Sequence, residues 1–107
     1  MISRDRMEKS LKYLAESDEE FAYHKTHALK MERKAKSVFR AMFLAHSGTV
    51  AEREAKADAS QEYQDASEAE FAAKLTLEHI KAKRDTEALV IEVWRSLNAA
   101  QRKGNVV

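Results

Sequence analysis

The sequence predicts an all-α protein. The expected architecture is a long antiparallel two-helix hairpin of coiled-coil character that dimerises into a four-helix arrangement. Three observations carry this. The 107 residues hold no proline and only two glycines, Gly48 and Gly104, so the interior offers one obvious break. Apolar residues recur at a spacing of seven along the first half. The composition is alanine-rich and 35% charged, with 19 Lys and Arg against 18 Asp and Glu, a mix typical of long helices.

Ser3 is a cap for the first helix and Asp5 stands in its first turn. From there to His46 no stop signal is visible, giving a helix over about 4–46. Leu14-Ala15, Phe21-Ala22, Ala28-Leu29, Ala35 and Met42-Phe43 mark the seven-residue repeat, which predicts left-handed supercoiling against a partner helix. The turn is Ser47-Gly48-Thr49. Gly48 can take the left-handed conformation that closes a helix, Thr49 can cap the next, and Glu52 completes a capping box. The second helix is expected over about 50–103, with Gly104 ending it and Asn105-Val106-Val107 frayed. All 107 residues then form a single helical-hairpin domain.

Folding at Gly48 places residue i near residue 97 − i. The small face Ala51, Ala55, Ala59, Ala66, Ala69 and Ala73 then meets Leu29, Val38, Phe39, Met42 and Phe43. The basic residues Lys25, Lys30, Arg33, Lys34, Lys36 and Arg40 fall opposite Asp58, Glu62, Asp65, Glu68 and Glu70. Farther out the signs swap, with Glu16, Asp18, Glu19 and Glu20 opposite Lys81, Lys83 and Arg84. Such sign matching selects register more than it adds stability. Between Ile80 and Ala88 the second helix is nearly all polar, and a weak seam or a partner contact is expected there.

Beyond it the helix is apolar on most sides. Ile91 and Trp94 can face the first helix near Met1, Ile2 and Met7. Leu89, Val90, Val93, Leu97 and Ala100 form an oligomer or partner interface, because a helix apolar all round is covered on several sides. A two-helix hairpin has little interior of its own, which predicts a homodimer.

No cysteine is present, which excludes disulfides and thiolate metal sites. Met1–Arg6 is charged and no apolar run follows it, so no secretory leader and no membrane span are expected, and the location reads as cytoplasmic. The near-neutral balance gives no bulk attraction to nucleic acid or acidic lipid. A local basic end remains: Arg4, Arg6, Lys9, Lys12, Arg95, Arg102 and Lys103 gather at the open end of the hairpin and can grip phosphates, with Tyr13 and Trp94 near enough to stack on bases. Glu20, His24 and His27 share one helical face, and two imidazoles with a carboxylate are sensible zinc or iron ligands, with Glu70 opposite in the expected register. The plainer reading is a solvated face, and no Glu-x-x-His pair of the di-iron bundles is present. No metal or other cofactor is therefore assigned.

Ser10, Ser17, Ser37, Ser60, Ser67 and Ser96 fall inside predicted helices, without a strained turn or oxyanion loop. No glycine-rich loop cradles phosphate. The expectation is a non-enzymatic interaction or scaffold protein. The turn His46-Ser47-Gly48-Thr49 lacks the Trp-x-Gly of the secreted helical-hairpin proteins of similar length. In size, predicted hairpin and the closing run Val93-Trp94-Arg95-Ser96 through Arg102, the chain resembles small charged all-helical proteins of phages and prophages. That resemblance implies an accessory role in DNA recombination or replication.

Overall fold

The structure, a computed structural model, describes residues 1–105. It contains four helices and, among the described residues, no strand: α1 (Arg4–Glu16), α2 (Asp18–Ala45), α3 (Val50–Ala59) and α4 (Gln61–Asn105). None is long and apolar enough to cross a membrane. The chain divides into two compact units. One, the terminal unit, comprises Met1–Phe21 with His79–Val107; the other, the turn unit, is Ala22–Glu78.

In the turn unit Gly48 and Thr49 lie in the break between α2 and α3. Gly48 has φ 119°, a conformation that L side chains rarely adopt, and a Cβ there would also meet the Glu52 carboxylate. Thr49 caps α3, its Oγ1 accepting from the Glu52 amide at 3.2 Å. Carbonyls near the end of α2 are satisfied by basic side chains of α3. Arg53 Nε donates to the Phe43 carbonyl at 3.2 Å with its guanidinium over the Phe43 ring, and Lys56 Nζ donates to the Ser47 carbonyl at 3.3 Å.

The buried residues of this unit are all alanine: Ala28 and Ala35 on α2, Ala57 on α3, Ala66 and Ala73 on α4. Small side chains at these positions let helix backbones approach closely. Phe39 meets Tyr63 edge-on, with ring centroids 5.2 Å apart. Beside the turn Phe43 meets Arg53, and farther along Phe39 meets Tyr63 rather than residue 58, which the expected register gives. From Arg53 to Tyr63 the chain advances ten residues, while from Phe43 to Phe39 it steps back four. The break at Ser60 lies within that interval. The charge matching differs as well: Lys74 of α4 reaches Glu32 of α2 at 3.6 Å, base and acid on the opposite helices from those expected. Lys74 also binds Glu70 at 2.6 Å; that hydrogen bond, and then the charges of Glu32 and Glu70, raise its pKa against the desolvation that would lower it.

Two serines expected inside continuous helices instead mark breaks. Ser60 is extended (φ −66°, ψ 144°) and serves both neighbours. Its hydroxyl donates to the Ala57 carbonyl at 2.7 Å and accepts from the Tyr63 amide at 3.3 Å, closing α3 and capping α4. Ser17 (φ −95°, ψ 0°) is a milder interruption, since backbone bonds Ser17 N–Tyr13 O and Phe21 N–Ser17 O, both 2.9 Å, persist on either side. A side chain from far along the chain meets the backbone at this break. Arg84 Nη1 donates to the Leu14 carbonyl at 3.1 Å, the acceptor that an unbroken helix would offer to Asp18 N.

At the other boundaries, Ser3 caps α1 as expected, accepting from the Arg6 amide at 3.1 Å. Gly104 does not end the last helix, which runs through Asn105. The rest of the expected frayed tail, Val106 and Val107, lies outside the described residues.

Candidate interaction surface

In the terminal unit the first arm has Met7, Ser10 and Ser17 buried and Leu14 and Phe21 half-buried, at alternating spacings of three and four; Ile2, Arg6 and Tyr13 are half-buried as well. Along α4, Ile80, Arg84, Glu87, Ile91, Trp94 and Asn98 are buried or half-buried with the same alternation, and Val90 and Ala99 beside them are half-buried. The polar stretch expected to be a weak seam is therefore where this unit is fastened. Ser10 is 0% exposed and Glu87 9%. Arg6 donates from Nη1 to Glu87 Oε2 at 2.7 Å and from Nη2 to Oε1 at 3.0 Å, a two-pronged pair. Ser10 Oγ donates to Glu87 Oε2 at 2.6 Å and accepts from Arg6 Nη1 at 2.6 Å.

Hydrogen bonds from Arg6 and then Ser10, helped by the charges of Arg6 and Lys83, outweigh desolvation and push the Glu87 carboxyl down to about 2. The same contact, first through its hydrogen bond, raises the Arg6 pKa. Nearer the Ser17 break, Arg84 binds Ser17 Oγ at 2.6 Å and Asp18 Oδ1 at 2.7 Å and lies 5.0 Å from the centre of the Phe21 ring. Lys83 Nζ sits 4.5 Å from the centre of the Tyr13 ring.

Sequence reasoning missed this layer because it treated polar residues as surface. The signal that could have found it is the three-four spacing itself. Continued through Met7, Ser10, Leu14 and Ser17, it places two small hydroxyls on the same face as the apolar residues. The pairing of Asp18 with Arg84 does belong to the sign-swapped block read from the sequence.

The proposed interface residues fall on α4 of this unit. Leu89 is 62% exposed; Val93, Leu97 and Ala100 are also exposed, and Val90 is half-buried. Ile91 and Trp94 are half-buried on the seam side, and Met7 is buried, but Met1, expected to pack near them, is almost fully exposed. Among the described residues the buried apolar side chains are one methionine and five alanines, and each alanine methyl contributes only about 1 kcal/mol.

The basic candidates differ in their partners. Arg6 is corrected outright, because its guanidinium is held by Glu87 and Ser10. Arg4 pairs with Glu8 at 3.2 Å, Lys12 lies 3.8 Å from Glu16, and Arg95 pairs with Glu92 at 3.2 Å. Lys9, Arg102 and Lys103 are exposed. Trp94 is half-buried and the Tyr13 ring carries Lys83, so neither is an open stacking platform.

Among the described residues no three His, Cys, Asp or Glu side chains gather as a metal site, and Glu20, His24 and His27 form no such set. Tyr23 instead lies against both imidazoles, edge-on to His24 at 5.2 Å and stacked on His27 at 5.8 Å. Glu70 binds Lys74 and lines a hollow with Ala35, Lys36 and Tyr63, rather than standing opposite His27. The buried hydroxyl of Ser10 donates to a carboxylate whose basicity is strongly reduced, an arrangement that holds helices together and does not activate a nucleophile. Comparison with family models, characterised proteins and solved structures finds no match to this chain.

Proposed function

We propose that this chain is a non-enzymatic helical interaction protein that works as a homodimer, joined through the α4 face formed by Leu89, Val93 and Leu97. In this reading the two arms form an antiparallel hairpin of coiled-coil character, and two hairpins make a four-helix arrangement. The observation that carries the proposal is the exposed aliphatic face on α4, where the buried apolar residues, among those described, are one methionine and five alanines. Covering Leu89 and its neighbours supplies apolar burial that the single chain lacks.

Sedimentation equilibrium of the Leu89→Glu/Val93→Glu double variant tests this. At low micromolar concentration the variant should be monomeric with its helical signal retained, because both positions are exposed. An unchanged dimer would remove the proposal.

A role beside DNA recombination or replication in a mobile element is the cellular setting we propose for such a scaffold. Direct contact with phosphates through exposed Lys9, Arg102 and Lys103 is the second reading. A mobility-shift series at low and high salt separates it: no retardation even at low salt leaves protein contact alone.

A further inference from the structure

A second surface lies in the turn unit. A hollow of about 470 Å³ is lined by Phe39, Arg40, Phe43 and Leu44 of α2 and Glu54 of α3. Leu44, on its rim, is 73% exposed. Arg40 and Glu54 are both exposed, and among the described residues neither makes an ion pair. This arrangement brings an apolar hollow, an aliphatic knob, one cation and one anion onto a single face.

A two-fold contact requires a surface complementary to itself, so that residue i meets j while j meets i. A face with one unpaired charge of each sign meets that requirement, whereas a face of one sign needs a different partner. We infer that the turn-unit face around Phe43 and Leu44 binds the same face of a second copy, with Leu44 entering the partner's hollow and Arg40 opposite the partner's Glu54. This contact is separate from the α4 face of the proposed dimer, and the inference rests on that reading only for its consequence. With both faces occupied, dimers join into larger assemblies. Because exposed ion pairs contribute little, the turn contact is the weaker and forms at higher protein concentration.

The experiment uses the full chain carrying Leu89→Glu/Val93→Glu, so that association through α4 is removed and the remainder belongs to the turn face. Sedimentation velocity over rising concentration should still show reversible association. Adding Arg40→Glu, or separately Glu54→Arg, should weaken it at least about tenfold, because each makes the face uniformly charged and self-repelling. Mixing those two proteins should restore association, since one face is then acidic and the other basic. A background protein that stays at 12.2 kDa at the highest concentration reached would overturn the inference. So would charge reversals without effect, or a mixture that fails to associate. A parent chain that is dimeric while the background is monomeric defeats the turn face alone. A parent already monomeric at low concentration, with association persisting in the background, defeats the α4 reading alone.

Discussion

Replacing Glu87 by glutamine keeps the side chain's length and removes its charge. In the folded chain that carboxyl falls from an ordinary value of 4.5 to about 2, a difference equivalent to about 3 kcal/mol. The sign follows from proton binding. The folded carboxyl holds its proton less tightly than the unfolded one, so the contribution is complete above the unfolded value. It is lost as pH falls through the interval from about 4.5 to about 2. Urea unfolding followed by circular dichroism, at one fixed protein concentration because self-association adds to apparent stability, should give a variant weaker by about 2–3 kcal/mol at neutral pH. The two curves should converge toward pH 2. Equal stability at neutral pH, or a gap that stays constant through the acid range, would refute the assignment of Glu87 as the centre of the terminal unit's seam.

Other substitutions probe other joints. Gly48→Ala should cost about 1–2 kcal/mol in the same unfolding assay, because φ 119° is strained for any L side chain and the added methyl meets the Glu52 carboxylate. Ser60→Ala removes the hydroxyl that closes α3 and caps α4, and should cost about 1 kcal/mol. Arg84→Met frees the Leu14 carbonyl; amide exchange at Asp18 should then slow as the helix bond closes across Ser17, and exchange as fast as in the parent would show that the break has another cause.

Local chemistry was readable in the sequence and distant chemistry was not. The turn at Gly48 and Thr49 rests on one residue able to take positive φ and one able to cap, both visible without a partner. The cap at Ser3 is of the same kind. Ser60 carries a local signal too, a serine ahead of Gln61 and Glu62, but the alanine spacing that runs through it suggests unbroken helix. At the break at Ser17 the partner is Arg84, 67 residues away, and no window around Ser17 contains it. Residues 80–88 look like surface for a similar reason. Glu87 is buried because Arg6 and Ser10 satisfy it, and its polarity alone points the other way. Of the candidate surface, the aliphatic face at Leu89, Val93 and Leu97 was legible as apolar residues left over once one stripe had been assigned to the seam. At the basic end the sequence also shows carboxylates three or four residues from Arg4, Lys12 and Arg95, and the structure pairs them as neighbours on the same helix.

The most direct measurement is the molar mass of the unmodified protein by light scattering at low micromolar concentration, below the range in which the weaker turn contact forms. A homodimer joined through the α4 face gives twice 12.2 kDa. A mass of 12.2 kDa, with the helices intact and Leu89 open to solvent, contradicts it.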